Sequence, residues 1–186
     1  NGRSKGIVVL ATGLGKTFLA AFDAKRFNGK TLFVVHKNEI LQQAKESFEI
    51  IWPEATISYF NADEKELGGK VVFASKDTLC RDENLLDIPQ DFFDYIIVDE
   101  VHHGQCATYL KIFWHFKPRF SLGLTATPDR MDRKDIFELY DYNLIYQMGQ
   151  REAIESGYLA GFKYYGLTDD IDYSKAKHNG RKYNVH

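Results

Sequence analysis

Residues 10–17 carry the side chains best suited to binding a phosphate, in the order Leu-Ala-Thr-Gly-Leu-Gly-Lys-Thr. Gly13 and Gly15 allow the backbone to curl until successive N–H groups point at one anion. Lys16 can then reach the β- and γ-phosphates of a nucleotide, and the Thr17 hydroxyl can coordinate Mg²⁺. The spacing predicts a phosphate-binding loop whose nucleotide contacts come from Thr12, Gly13, Leu14, Gly15, Lys16 and Thr17.

One position departs from the full pattern G-x-x-x-x-G-K-[ST], because Leu10 stands where the first glycine is expected. A Gly-Lys-Thr sequence by itself is usually a solvated turn, so the flanking residues decide between the two interpretations. The apolar run 7–10 predicts a buried strand before the loop, and residues 18–22 predict the start of a helix after it. The N–H groups and partial positive charge at a helix N-terminus attract an anion, so this context favours the phosphate site.

Two adjacent carboxylates, Asp99 and Glu100, follow the apolar run 94–98. They are expected at the carboxyl end of a buried strand, the edge where ligands bind in open α/β sheets and where the phosphate-binding loop also lies. Adjacent strand side chains point in opposite directions, so one acid can face a metal while its neighbour orients a water towards the γ-phosphate. A bound Mg²⁺ would remove the repulsion between the carboxylates. The alternative is a solvated strand end.

Zinc binding is another possible chemistry just beyond this pair. His102, His103 and Cys106 lie close together in sequence, but no second pair of ligands stands at the spacing of zinc sites. We therefore expect no zinc site, and we interpret His103 as a packing or surface residue.

The elements that must position these residues alternate between strand and helix. Apolar runs predict strands at residues 7–10, 31–35, 56–60, 70–74, 94–98, 120–124 and 143–146. Helices are predicted from residue 18 and at residues 38–51, 107–116, 132–139 and 151–156, with mixed helix and loop at 77–86. Apolar strands that alternate with helices predict an α/β fold with a mainly parallel β-sheet and helices on both faces.

The composition of the 186 residues is that of a globular protein, with 44% hydrophobic and 27% charged residues. The net charge of −2 gives no global support for nucleic-acid binding, so such binding has to rest on a local surface. Two cysteines are too few for a disulfide framework and predict a reducing, cytoplasmic location. No apolar run approaches the length of a membrane span, so we expect no membrane partner.

The two ends of the chain suggest a fragment of a longer protein. The first residues lie just before a predicted core strand, and residues 175–186 are polar. A boundary is expected near residues 157–161, where glycines flank a short segment. We expect a domain at residues 1–160 and a tail or linker at residues 161–186.

Three segments together resemble the conserved motifs of a known enzyme class. Residues 11–17 (Ala-Thr-Gly-Leu-Gly-Lys-Thr), 99–102 (Asp-Glu-Val-His) and 124–128 (Leu-Thr-Ala-Thr-Pro) resemble motifs I, II and III of superfamily 2 helicases, in the same order. The resemblance is to the DEAH-like branch, which includes type III restriction enzyme res subunits and repair helicases. Residues 32–37, with Leu41 and Gln42 beyond them, are similar to motif Ia, and residues 73–79 are more loosely similar to motif Ib.

This resemblance implies a RecA-like P-loop NTPase domain, the first motor domain of a helicase or translocase that hydrolyses ATP with Mg²⁺. Lys16 would contact the phosphates, Thr17 and Asp99 would hold the metal, and Glu100 would be the general base. His102 counts among the implied catalytic residues, and it would also link the nucleotide state to the grip on nucleic acid. Thr125 and Thr127 would share that coupling function.

The resemblance also implies a nucleic-acid surface, with DNA favoured over RNA. Motifs Ia and Ib contact the sugar-phosphate backbone in family members, and such contacts position a strand without reading its sequence. The candidate contacts are His36, Lys37, Ser75, Lys76 and Thr78. The alternative is that these five are ordinary loop residues, with Asp77 offsetting the local positive charge.

The chain departs from the family pattern at several points. Leu10 replaces a small residue, Val101 replaces the commoner alanine of the DEAH motif, and no glutamine motif is visible. Motifs IV to VI and their arginine finger are absent, so we expect a second RecA-like domain as a partner. Two alternatives remain open, a nucleotide-dependent switch or binding module and a small-molecule kinase. The Thr-Ala-Thr-Pro sequence favours the motor over the switch, and the sequence shows no arginine-rich lid of the kind that a small-molecule kinase needs.

Overall fold

Seven parallel strands form the single large sheet of the computed structural model, which describes residues 3–36, 38–101, 107–126, 136–163, 177–178 and 183–184. The strands are β1 (Lys5–Leu10), β2 (Thr31–Val35), β3 (Ile57–Phe60), β4 (Val71–Ser75), β5 (Tyr95–Val98), β6 (Phe120–Thr125) and β7 (Leu144–Met148). Their order across the sheet is β3-β4-β2-β5-β6-β1-β7. Two short strands, β8 (Lys177–His178) and β9 (Tyr183–Asn184), pair separately and antiparallel.

Helices connect most of these strands. They are α1 (Lys16–Phe27), α2 (Asn38–Ile51), α3 (Lys76–Leu79), α4 (Asp82–Leu85), α5 (Ala107–His115), α6 (Ile136–Leu139) and α7 (Gln150–Glu155). Within the described part of the chain, no helix combines the length and apolar character needed to cross a membrane. The predicted mixed segment 77–86 consists of the short helices α3 and α4. The first part of the helix predicted at 132–139 lies outside the described residues, and α6 forms its last turn.

The core has two layers because neighbouring strand residues point to opposite faces of the sheet. Phe33 and Phe73 face α1 and α2, where both rings pack edge-on against Phe48 of α2. Leu32 and Val72 belong to the other layer, together with residues of α3 and α5. The four strand residues are all fully buried, as expected for a parallel sheet covered on both sides. The predicted parallel α/β architecture is confirmed.

Strand β7 departs from the prediction that each strand is buried. It lies at one edge of the sheet, where it pairs with β1 alone among the described strands, and the register of this pair shifts between Ile7 and Val8. Leu144, Ile145 and Tyr146 are each more than two fifths exposed. An apolar run in the sequence does not distinguish an edge strand from a central one, because the number of neighbours is set only by the sheet order.

Helix α1 is bounded by backbone conformations that the sequence partly predicts. Its N-cap Gly15 has φ 74°, and its C-cap Asn28 has φ 55°, both in the left-handed region. Asn28 donates its N–H to the Ala24 carbonyl oxygen at 2.9 Å, which closes the last turn. Lys25 and Arg26 in that turn face the negative end of the helix dipole. The helix therefore runs from the phosphate-binding loop to a defined stop.

Candidate nucleotide-binding site

The sheet order brings the two chemically distinctive segments to one edge. All seven strands are parallel, so the loop after β1 and the acidic pair after β5 both lie at the carboxyl edge. Strand β6 separates β1 from β5, and it ends at Thr125, which is opposite Val9 of β1 and fully buried. Thr125, one of the residues predicted to couple nucleotide and nucleic acid, thus lies between the two segments.

The phosphate-binding loop has the shape that its glycines predict. Gly13 has φ 90° and Gly15 has φ 74°, conformations that side chains with a Cβ rarely adopt. The Leu14 N–H donates to the Ala11 carbonyl oxygen at 3.2 Å, forming a tight turn. The Ala11 N–H donates to the Met148 carbonyl oxygen of β7 at 3.0 Å, which ties the start of the loop to the sheet.

Leu10, the position that departs from the full motif, has a structural explanation. It is the last residue of β1, its side chain is 5% exposed, and it packs in the layer that includes Ala20 and Ala24 of α1. Its carbonyl oxygen lies 3.4 Å from the Lys16 Nζ and accepts a hydrogen bond from it. Because these functions need an apolar side chain and a backbone oxygen, leucine is compatible with the loop at this position.

Lys16 connects the loop to the acidic pair. Its Nζ lies 3.8 Å from Oε1 of Glu100, and the lysine side chain is only 12% exposed. This contact joins residues from the two predicted motifs, which come together only through the sheet. A cation that is mostly withdrawn from water and lies near a carboxylate is well placed for an anionic phosphate chain.

Asp99 is a buried carboxylate next to this ion pair. It is 7% exposed, and its Oδ1 accepts the backbone N–H of Glu100 at 3.0 Å. Two effects raise the pKa of Asp99 to about 6, of which burial of the carboxylate is the larger and the negative charge of Glu100 the smaller. A divalent cation would reverse this effect by favouring the charged form. The oxygen donors present, the Asp99 carboxylate with the Thr17 hydroxyl of the loop, are the kind that Mg²⁺ prefers.

The backbone of Glu100 is not in the extended conformation that the sequence predicts for it. The prediction relied on the alternation of side chains along a strand, but β5 ends at Val98 and Glu100 has φ 50°. A non-glycine residue in this region carries about 1–3 kcal/mol of strain, and such residues concentrate at functional sites. Both carboxylates therefore lie in a turn beyond the strand, and the backbone of this turn is strained at Glu100.

The candidate nucleic-acid residues after β4 are engaged within the domain. Ser75 caps α3, because its Oγ accepts the Thr78 N–H at 3.3 Å and donates to the Thr78 Oγ1 at 3.0 Å. The Lys76 Nζ lies 3.1 Å from Oδ1 of Asp77 and 5.6 Å from the centroid of the Tyr109 ring. Ser75, Lys76 and Thr78 are at most 8% exposed. Their contact with a strand stays a prediction, and it would have to compete with these interactions.

Several predicted residues are placed only in part. His36 directly follows β2 at the carboxyl edge and is half-buried. Lys37, His102 and Thr127 lie outside the described residues, as do His103 and Cys106 of the rejected zinc arrangement.

Leu159 is a contact of the loop that the sequence does not indicate. A Cβ built on Gly13 would lie 3.2 Å from the Leu159 Cδ2, so this side chain reaches the phosphate-binding loop. In the sequence, Gly157 and Gly161 on either side of it indicate only a domain boundary. No motif or periodicity marks Leu159, because it reaches the loop through a turn that folds the chain back.

The chain is similar to known proteins in both sequence and fold. Residues 1–130 match the family model described as "Type III restriction enzyme, res subunit". The DNA 3'-5' translocase XPB2 of Sulfurisphaera tokodaii is 30% identical over 89% of this chain and 38% of its own length. The type I restriction enzyme EcoAI endonuclease subunit of Escherichia coli is 25% identical over 92% of this chain and 22% of its own length. The chain thus spans well under half of these relatives.

The fold resembles a solved structure with low sequence identity. The crystal structure of the Pyrococcus furiosus Hef helicase domain superposes with a TM-score of 0.71 and 22% identity. The match covers 88% of this chain and 38% of that one.

Proposed function

Because the chain belongs to the family of the type III restriction enzyme res subunit and has the RecA-like fold of superfamily 2 helicases, we propose that it is the ATP-binding motor domain of a nucleic-acid helicase or translocase. The observation that carries this proposal is the approach of Lys16 to Glu100, 3.8 Å across the carboxyl edge of the sheet. This contact brings a phosphate-binding cation and a candidate general base together at the edge of the sheet where a terminal phosphate would bind.

The residues of the site divide the work of ATP hydrolysis. The backbone N–H groups of residues 12–17 bind the phosphates, and Lys16 offsets the charge of the β- and γ-phosphates. Thr17 and Asp99 would hold Mg²⁺, which would supply positive charge to the phosphate oxygens. Glu100 orients the attacking water and accepts its proton. His102, Thr125 and Thr127 couple the bound nucleotide, ATP or ADP, to the affinity of the domain for nucleic acid.

The substrate polymer in this proposal is DNA rather than RNA. The relative XPB2 is described as a DNA translocase, and EcoAI as a restriction endonuclease subunit, which supports this choice. His36, Lys37, Ser75, Lys76 and Thr78 would contact the backbone of the strand. Such contacts are independent of sequence, as a translocating motor requires.

A second RecA-like domain completes the motor in this proposal. The relatives are at least two and a half times as long as the segment that matches this chain, so they are long enough to contain a second domain. We assign residues 1–160 to the first domain and residues 161–186 to a tail or linker towards the second. A cytoplasmic location is also proposed, supported by the low cysteine content and the free thiol of Cys80.

The proposal is tested first by nucleotide binding. Lys16→Ala should weaken the affinity for a non-hydrolysable ATP analogue by about 10- to 100-fold, because a hydrogen bond to a charged group is lost. Calorimetry measures this effect. Lys25→Ala is the matched control, since that lysine lies at the other end of α1 and pairs with Glu54 at 3.6 Å. Equal affinity of wild type and Lys16→Ala would contradict the nucleotide site.

The motor function is tested second, in a protein that contains both domains. ATP turnover should rise when single-stranded or double-stranded DNA is added, and rise less with RNA. Nucleotide binding without any stimulation by nucleic acid would instead support a nucleotide-dependent switch.

A further inference from the structure

We propose that Leu159 is a positioning residue that holds the phosphate-binding loop in its anion-binding shape; this inference rests on the proposed function of that loop. Residues 148–159 contact the phosphate-binding loop at both of their ends. We call this segment the loop bracket. Its two ends contact the phosphate-binding loop at Ala11 and at Gly13.

The first end of the loop bracket is a backbone contact. Met148, the last residue of β7, pairs with Leu10 of β1, and its carbonyl oxygen accepts the N–H of Ala11 at 3.0 Å. This hydrogen bond extends the β1–β7 ladder by one step into the loop. The entry of the loop is therefore fixed to the edge strand.

The second end is a side-chain contact made by a tight turn. After α7 the chain reverses at Gly157, which has φ 76°. The N–H groups of Tyr158 and Leu159 both donate to the Ala153 carbonyl oxygen, at 2.8 Å and 3.1 Å, and Ala153 itself is fully buried. Leu159 is thereby held with its Cδ2 3.2 Å from the position of a Cβ on Gly13.

This contact acts on the most adaptable residue of the loop. Glycine has more accessible backbone conformations than any other residue, so a loop that depends on φ 90° at Gly13 can also adopt other shapes. A side chain packed against Gly13 disfavours the shapes that move the glycine towards it. Binding is tighter when the N–H groups are already oriented, because less conformational freedom is lost. Leu159 supplies that orientation without touching the nucleotide.

The test compares three variants of the full chain. Leu159→Ala removes the contact, Leu159→Met retains most of its apolar volume, and Tyr158→Ala is the matched control from the same turn. Tyr158 is 68% exposed, and its N–H bond to Ala153 is made by the backbone. The first readout is amide hydrogen exchange of residues 12–15 in nucleotide-free protein. The second is the affinity for a non-hydrolysable ATP analogue.

We expect Leu159→Ala to speed exchange in the loop and to weaken analogue binding by about two- to thirtyfold, the range for residues that act on a site through a neighbour. Leu159→Met should restore both values towards wild type, and Tyr158→Ala should leave both unchanged. The fully buried amides of β2 serve as the internal reference and should exchange as in wild type.

The outcomes separate this inference from the proposed function. Wild-type exchange and affinity in Leu159→Ala would overturn it, and so would accelerated exchange throughout β2, since Leu159 would then support the whole domain. If Leu159→Ala does not fold, Leu159→Val takes its place, because valine lacks the Cδ atoms that approach Gly13 but keeps more apolar volume, and the same two outcomes would overturn the inference. If wild type and Lys16→Ala bind the analogue equally, the proposed function fails, while loop exchange without nucleotide still tests Leu159.

Discussion

Glu100 is the residue where backbone strain and proposed chemistry coincide. Its φ of 50° places its carboxylate 3.8 Å from the Lys16 amine, while its N–H contacts the buried carboxylate of Asp99. The two acids therefore have different surroundings, since the side chain of Glu100 is 29% exposed and Asp99 is buried. This difference supports separate functions for them, proton acceptance for the more exposed acid and metal binding for the buried one.

Substitutions at the two acids should separate binding from chemistry. Glu100→Gln retains the size and one acceptor oxygen but cannot take a proton, so ATP should still bind while turnover falls by about 10²- to 10⁴-fold. Steady-state ATPase assays and analogue binding in the two-domain protein measure the two effects.

Asp99→Asn should give a different pattern, because the amide replaces a metal-binding carboxylate. Its nucleotide affinity should fall in Mg²⁺ and match that of wild type in EDTA. Normal turnover in both variants would show that neither acid takes part in hydrolysis.

At the scale of single elements, β6 is the spacer that sets the distance between the loop and the acids. Its Gly123 lies under the fully buried ring of Tyr140, and a Cβ there would be 2.7 Å from the Tyr140 Cζ. The close approach of a tyrosine ring requires glycine at this position. The strand therefore carries a packing constraint two residues before Thr125.

Gly123→Ala should lower the free energy of unfolding by about 1–3 kcal/mol, the usual effect of overpacking a core. Chemical denaturation measures the change. Gly68→Ala is the control, because a Cβ at Gly68 would meet no atom within 4 Å. Equal stability of the two variants would show that the Tyr140 ring moves aside without strain.

The segments that follow β2 and β4 in the sequence are the ones proposed to contact nucleic acid. Changing Lys37 and Lys76 together to alanine should weaken DNA binding similarly for all sequences. It should also reduce the slope of log affinity against log salt concentration by about 1–2, because up to two phosphate contacts are lost. Fluorescence titrations of the two-domain protein at several salt concentrations measure the slope.

Lys70→Ala is the matched control for this double variant. Lys70 precedes β4 at the opposite edge of the sheet, where its Nζ donates to the Asn28 carbonyl oxygen at 2.7 Å. An unaltered slope in the double variant would contradict the proposed phosphate contacts, and the ion pair with Asp77 would then give Lys76 a structural function.

At the scale of the whole molecule, the proposed motor needs a second domain to complete its catalytic site. An arginine finger accelerates phosphoryl transfer by on the order of 10³- to 10⁵-fold in related NTPases. In the resembling helicases this arginine comes from the second domain. Arg130 and Arg133 follow motif III in the sequence and lie outside the described residues. The proposed catalytic assembly is therefore incomplete in this domain alone.

Residues 1–186 by themselves should bind nucleotide weakly and hydrolyse it slowly, with no unwinding. A steady-state ATPase assay with and without single-stranded DNA or RNA is the measurement, and the two-domain protein is the positive control. Robust turnover of the 186-residue chain that nucleic acid stimulates would place the finger within this domain. The two-domain proposal would then have to be abandoned.

The amino-acid sequence alone determined the order and kind of most elements and the identity of the main candidate residues. Buried strands and amphipathic helices are local patterns, so β2 and α2 were predicted with the same bounds that the structure has. The glycines of the loop also act locally, because their φ angles depend on the residue itself. Asn28 followed by Gly29 is likewise a local pattern, typical of the end of a helix.

Only the tertiary structure decided which of these residues meet. The position of β6 between β1 and β5, the contact of Lys16 with Glu100 and the exposure of β7 all follow from the sheet order, which depends on contacts between distant segments. The left-handed turn at Glu100 carries no signal in a residue type that rarely adopts it. Leu159 reaches Gly13 only because the chain folds back after α7. Local patterns specify elements, whereas packing between distant segments specifies the site.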